Sequence, residues 1–408
     1  MLLFCRVTSH RIIHLWKRIA LLFLLVGGCI GLLLRYSFVH TPFDGFAFRH
    51  WLHAHSHIML LGWLFNAAFI LWVEKTFKSA VPPPFVGLFG ALQVANAGML
   101  ATFPVTGYAA GSIAFSTLHI LLSFVVIALF IRDHRGSPAE RETLLWAVGF
   151  LLISAMGPFA VGVLMAKGMR ESPLYDLAIY FYLHFQYNGW LTFILLTALY
   201  PFEKAHASFA RYNIRLLGIS TLLSFSLSAL WLGAGRWLMV VGLFSAFLQV
   251  FALAGMFRAG SFTLASLLKS GSRETRILTW LVAAAIPAKL LLQVLSAFPA
   301  AVSWYYFDRN LPIAYLHLVF LGVITPVILV KWTSARSGAR LQLAVFLYAV
   351  AFVLSECLMV AESVGLKLNG RSIPYFYALL AMASAVLVLS LLAFNAAFWP
   401  KRREAAEA

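Results

Sequence analysis

The chain has 408 residues, 62% of them hydrophobic and only 11% charged, with a formal net charge of +17 and a mean hydropathy of +0.88. So few charges cannot cover a soluble surface, which excludes a soluble enzyme and makes lipid the solvent for most of the chain. Within hydrocarbon only helices or closed barrels satisfy their backbone groups, and unbroken apolar runs of about twenty residues without strand alternation select helices. The expectation is an all-α polytopic membrane protein of about twelve transmembrane helices, a single integral membrane domain over 1–408.

In chain order the expected spans are 19–39, 50–73, 83–103, 111–131, 143–166, 175–199, 213–234, 237–257, 278–298, 311–332, 341–364 and 373–398. Breakers and charges separate them: Glu74 and Lys75 before Pro82 to Pro84, a polar run from Arg132 to Glu142, another from Glu203 to Arg215, a basic run from Lys331 to Arg340, and Asn369, Gly370 and Arg371. The first apolar run is followed by Arg35 and not by small residues, against a cleaved signal peptide. Most of the 31 Lys and Arg fall at the two ends and in every second loop, for example Arg132, Arg135 and Arg141, then Lys204, Arg211 and Arg215, then Arg258, Lys269, Arg273 and Arg276, and finally Lys401, Arg402 and Arg403. That distribution is the positive-inside bias and not a nucleic-acid-binding surface, and it puts both termini in the cytoplasm. Cys5, Cys29 and Cys357 have neither disulfide nor metal spacing. No internal repeat or soluble domain stands out.

Twelve histidines are present, and six lie within spans: His53, His55 and His57 in the second, His119 in the fourth, His184 in the sixth and His317 in the tenth. Ionisable groups in hydrocarbon are costly and are functional candidates by default. At about 1.5 Å per residue, His53, His57, His119, His184 and His317 all fall in the outer half of the bilayer. Helix–helix hydrogen bonding explains a lone histidine such as His119 adequately, but three imidazoles within five residues need more than packing. His53 and His57 share a helix face, and His55 points elsewhere. Neutral imidazole ligates haem iron, copper and zinc. Two histidines at similar depth on different helices suit a six-coordinate, electron-transferring haem b, for which His53 and His317 are the preferred pair. His57, His119 and His184 raise a second metal site for copper, zinc or iron, with packing as its alternative.

The motifs around these histidines resemble the haem–copper oxidase superfamily, specifically the catalytic subunit of the cb-type oxidase and nitric oxide reductase branch. Leu52, His53, Ala54 and His55 with Gly62 resemble its helix-two haem-ligand motif. His317 to Gly322 resemble the helix-ten motif, and His184 with Leu191 and Thr192 the helix-six copper-ligand region. The resemblance implies a subunit I-like bundle in a bacterial inner (cytoplasmic) membrane, with a low-spin haem between His53 and His317 and a cytochrome or quinone as electron donor. Two departures stand out. Tyr315 occupies the position of the active-site haem ligand, and the expected span 213–234 lacks the family's histidine pair, so the oxygen-reducing centre is not carried over. His53, Ala54, His55 and Ser56 with Leu61, Gly62 and Trp63 also match the helix-ten pattern, which leaves two alignments open.

Other intramembrane charges are Lys289, with Gln293 one turn on, and Glu356 and Glu362. They pair with one another, line a proton path or contact propionates. Arg371, in the loop after the eleventh span, is the expected propionate partner, because guanidinium matches carboxylate bidentately and family members use arginines there. Tyr180, Phe181, Tyr182, Phe185 and Tyr187 pack against a macrocycle or against other helices, whereas Trp304 to Phe307 and Tyr375 to Tyr377 form an interfacial aromatic belt. The functional expectation is a haem-binding oxidoreductase with a redox or nitric-oxide-related role. The alternatives are a metal-ion or proton-coupled transporter and an NnrS-type haem–copper membrane protein.

Overall fold

The computed structural model describes residues 9–202, 207–233, 235–258, 268, 271–298, 300–302, 304, 308–334 and 336–398. Cys5, Glu203, Lys204, Lys269, Tyr305, Tyr306, Phe307, Lys401, Arg402 and Arg403 lie outside the described residues. Every regular element among those described is helical. The helices are α1 (Ser9–Tyr36), α2 (Phe48–Thr76), α3 (Pro83–Thr106), α4 (Ala110–Asp133), α5 (Pro138–Ala166), α6 (173–199), α7 (Ser208–Leu232), α8 (Arg236–Arg258), α9 (Arg273–Ser296), α10 (Asn310–Thr333), α11 (Ala339–Asn369) and α12 (Phe376–Ala397). Among the described residues eleven of these are long and apolar enough to cross a membrane. The other, α6, is continuously helical at the expected place, but Asp176, His184, Gln186 and Asn188 lower its hydropathy. The chain is thus a polytopic helical membrane protein. Helix starts obey local chemistry: Pro83, Pro138 and Pro173 each open a helix, where the missing N–H costs nothing, and Ser137 and Ser172 cap the last two through their hydroxyls.

The helices gather into two compact units, one from the described residues within 1–126, 268–281 and 325–408, the other from those within 127–267 and 282–324. In unit 1, α1 packs on α2 and α12, α2 on α3, and α11 on α12. Every residue of α2 from Leu60 to Val73 is buried, as befits a helix apolar on all sides. The polar exception, Asn66, is met by Gln93 of α3 in a reciprocal amide pair at 2.9 and 3.2 Å. One end of the unit is tied by Lys17 and Glu74 at 2.7 Å, the other by Arg35 of α1, whose guanidinium donates to Ser355 of α11 and Ser384 of α12 at 2.9 and 2.8 Å. In unit 2, α5 packs on α6 and α7, and α7 on α8. Glu142 of α5 accepts from both Arg211 and Arg215 of α7.

Three helices change pitch midway. Residues Ile58–Phe65 of α2, Phe185–Leu191 of α6 and Leu318–Ile324 of α10 are π-helical, a wider turn that is rare at this length and is often found at functional sites. Each begins immediately after a histidine, His57, His184 or His317, and each has glycine five residues beyond it, Gly62, Gly189 or Gly322. Residues 182–192 and 315–325 share Tyr-Leu-His, the glycine and a final threonine, Thr192 and Thr325. The packing repeats as well. Phe23 of α1 covers Gly62, and Phe150 of α5 covers Gly189, 39 residues apart in both cases. Met59 lies on Gly27 and Gln186 on Ser154, 32 residues apart in both cases. A local pattern of histidine, π-helical turn and glycine therefore recurs where no repeat stood out in the sequence.

These glycines are contact points. A Cβ on Gly189 would lie 2.6 Å from Phe150 Cβ, whereas one on Gly149 meets nothing within 4 Å. Gly189→Ala is expected to destabilise by about 1–3 kcal/mol through overpacking, while Gly149→Ala is neutral or stabilising. Thermal unfolding of the two variants in detergent, followed by monodisperse elution, checks the difference.

Candidate functional site

The three histidines of α2 divide between two faces of the helix. His55 turns toward α1 and donates its Nδ1 proton to the Gly27 carbonyl at 2.8 Å. The acceptor is a carbonyl, so Nδ1 must carry the hydrogen, and the neutral ring keeps its lone pair on Nε2. Gly31 makes room for the ring, since a Cβ there would stand 3.0 Å from His55 Cε1. Arg35 lies within electrostatic reach of both His55 and Glu356. Sequence spacing set His55 aside from the candidate ligands and gave Arg35 no role; contact with α1 brings both forward.

His53 and His57 share the opposite face, as their spacing requires. His57 donates Nδ1–H to the His53 carbonyl at 2.8 Å, which again leaves Nε2 with its lone pair. Aromatic groups from α3 and the following loop enclose the pair: Tyr108 is edge-on to His53 at 4.5 Å, and Phe103 lies 4.3 Å from His57. His119 of α4 is 1% exposed and edge-on to Phe65 of α2 at 4.9 Å. Its Nε2 is buried without a hydrogen-bond partner among the described residues, as are both amide atoms of Asn96 on α3. Phe115 packs on Gly98, and the antiparallel run of α3 and α4 puts His119 within about one turn of the level of Asn96. Buried polar atoms are normally satisfied, so these are among the groups in unit 1 that call for a ligand, an ion or water.

His184 is arranged differently. In unit 2 its Nε2–H donates to the Thr221 carbonyl at 2.9 Å, and its Nδ1 accepts from the Asn188 amide at 3.2 Å. The reason lies in α7. The first stretch of that helix ends at Leu223, so Thr221 is among the last carbonyls without an intrahelical donor. Ser220, Thr221 and Ser224 return their hydroxyls to carbonyls three or four residues back, a pattern that bends helices. His184 thus caps a broken helix, and both of its nitrogens are engaged. The surrounding rings serve packing: Phe185 is edge-on to His184 at 4.9 Å, and Phe225 lies 5.1 Å from Phe181.

His317 stands at the junction of the α-helical and π-helical parts of α10. Nearby Tyr315 and Phe320 face Tyr187 of α6 at 6.3 and 5.7 Å. Arg371 is exposed in the loop between α11 and α12. Glu362, 3% exposed, accepts from Ser372 at 2.5 Å and from the Ile373 amide at 2.7 Å, so it holds that loop. Among the described residues no group of three or more His, Cys, Asp or Glu is gathered for a metal ion. The site elements define a polytopic membrane protein with neutral, tautomer-fixed imidazoles inside its helices. No protein-family model matches the chain, and no curated protein is similar to it.

His184→Leu removes the cap, leaving the Thr221 carbonyl only the Ser224 hydroxyl at 3.1 Å and the Asn188 amide without its acceptor, with an expected cost of about 1–3 kcal/mol. His184→Gln keeps a donor and is expected to cost less. Chemical or thermal unfolding in detergent distinguishes a capping role, which orders the variants this way, from one in which both lose equally.

Proposed function

We propose that the protein is a haem-binding redox protein of the membrane, with an imidazole of α2 as an axial ligand. What carries this reading is the fixed tautomer of His55 and His57. Each donates Nδ1–H to a backbone carbonyl and so presents a bare Nε2, the arrangement that orients metal-ligating histidines and raises their basicity. The donor chemistry fits haem iron. When bound, haem supplies one-electron transfer, and two imidazole ligands leave no open position for substrate. His53 and His317 are the axial ligands that the resemblance to haem–copper oxidase catalytic subunits implies, and Arg371 is the implied propionate partner. The hydrogen bond to Gly27 adds His55 as a ligand candidate on α2.

The unpartnered Nε2 of His119 favours a second reading beside the first, a copper, zinc or iron site that includes His57 and His119. His184 falls out of that set, because Thr221 and Asn188 occupy its nitrogens. The haem reading is tested on the purified protein by absorption spectroscopy and haem extraction. Soret and alpha bands are expected; His317→Ala should abolish them, and whichever of His53→Ala and His55→Ala does the same identifies the ligand on α2. A protein that purifies without haem from haem-replete cells overturns the proposal.

A bacterial inner-membrane location is what the resemblance implies, and the loop charges support an orientation with both termini in the cytoplasm. A C-terminal fluorescent-protein fusion is expected to fluoresce and a C-terminal alkaline phosphatase fusion to be inactive; the reverse pattern refutes that orientation.

A further inference from the structure

At the end of unit 1 where α1 begins and α10 ends, the fold gathers cations from distant parts of the chain. Arg336, in the link from α10 to α11, donates to His14 Nε2 of α1 at 2.7 Å and to the Ala397 carbonyl of α12 at 3.3 Å, and its guanidinium lies 4.7 Å from the Phe398 ring. Lys17, Arg18 and Arg336 are all within electrostatic reach of His14, and Lys331 of α10 is within reach of Lys17. The acid set among them is Glu74, which Lys17 takes at 2.7 Å. Four cations against one carboxylate leave a surplus of three positive charges in this group. Among the described residues neither Lys331 nor Arg336 has an ion pair of its own.

The donors are in surplus as well. A guanidinium can only donate, so His14 Nε2 accepts, and the neutral ring carries its hydrogen on Nδ1. That hydrogen has no acceptor among the described residues, and only part of the five-donor fork of Arg336 is used. Lys331 is exposed, whereas His14 and Arg336 are half-buried, so the group is open on one side. Cations held this close repel one another, and a neutral hydroxyl or sugar would leave that repulsion in place. An anion with several oxygens answers both the charge and the donors, and guanidinium matches phosphate bidentately.

The surroundings favour an anion that carries acyl chains. On α1, Arg11, Leu15, Arg18 and Leu22 follow one another at the three- and four-residue spacing of a single helix face. Leu15 and Leu22 are 52% and 53% exposed, while Ile13, Trp16 and Ala20 bury the opposite side at 5%, 4% and 0%. Basic groups therefore sit at the head of an apolar strip that faces lipid, the arrangement by which basic pockets between membrane helices hold lipid phosphates. We propose that this corner of unit 1 binds the phosphate of an anionic glycerophospholipid, with Lys331, Arg336 and His14 Nδ1–H on its oxygens and its acyl chains along Leu15 and Leu22. The site requires neither haem nor metal.

The test uses the full-length protein, delipidated in detergent and titrated with short-chain phosphatidylglycerol. Native mass spectrometry counts the bound lipid, and the thermal unfolding midpoint gives a second readout. Saturable binding is expected, weakened by salt, with phosphatidylcholine of the same chain length bound at least tenfold more weakly because its ammonium meets the same cations. Lys331→Gln and Arg336→Gln should each weaken phosphatidylglycerol about fivefold, and Arg336→Lys less. Arg141→Gln, at an exposed arginine of unit 2, should change nothing. Affinity unchanged in both glutamine variants overturns the proposal, as does phosphatidylcholine binding as tightly as phosphatidylglycerol. An equal loss in Arg141→Gln overturns it too, since the attraction would then belong to the whole basic surface. Displacement of the lipid by an equal concentration of inorganic phosphate assigns the corner to a free anion and refutes the lipid. Should Arg336→Gln fail to fold, Lys331→Gln decides alone, because that side chain is exposed and makes no hydrogen bond among the described residues.

Discussion

Three of the intramembrane histidines are held by one kind of interaction, an imidazole N–H given to a backbone carbonyl. His55 gives its proton to Gly27, His57 to His53 and His184 to Thr221. Where no water competes, such a bond fixes both the tautomer and the orientation of the ring, and the second nitrogen becomes a directed lone pair. What happens to that lone pair separates the sites. In unit 2 Asn188 takes it, and the histidine becomes a cap. In unit 1 no hydrogen bond among the described residues takes the Nε2 lone pair of His55 or His57.

The pitch changes give these bonds their setting. A π-helical segment follows His57, His184 and His317 alike, and the glycine five residues on lets a phenylalanine of the preceding helix close over it in the first two cases. Similar packing thus recurs with different polar content. Met59 lies on Gly27 in one module, and Gln186 donates to Ser154 in the next. The shared features are backbone features, and the chemistry varies at the side chains between them. This is a physical reason for the divergent roles of His57 and His184 despite their equivalent positions.

Polar groups on the remaining helices follow the same economy of lipid. Asn66 and Gln93 satisfy each other, Glu362 holds a loop, and Arg35 spreads its donors over two serine hydroxyls. Against that background the unmet atoms of Asn96, His119 and Gln293 stand out, as do those of Ser226, Trp332 and Ser390.

Hydropathy and charge placement alone determined the class of protein, the positions of twelve helices to within several residues at most ends, and the sharing of one face by His53 and His57, because these depend on local composition and helical period. The ten-residue earlier start of α1 escaped them, since Arg11, Lys17 and Arg18 break the apolar pattern without breaking the helix. Tertiary contacts decided which imidazoles keep a free nitrogen. That His184 would be consumed by Thr221 depends on a break in α7, and that His55 would meet Gly27 depends on the close approach of α1. The repeat of His and Gly at a spacing of five was present in the sequence all along. Two matched residues among some 130 carry too little signal until the shared pitch of the helices and the matching phenylalanine contacts give them a common physical cause.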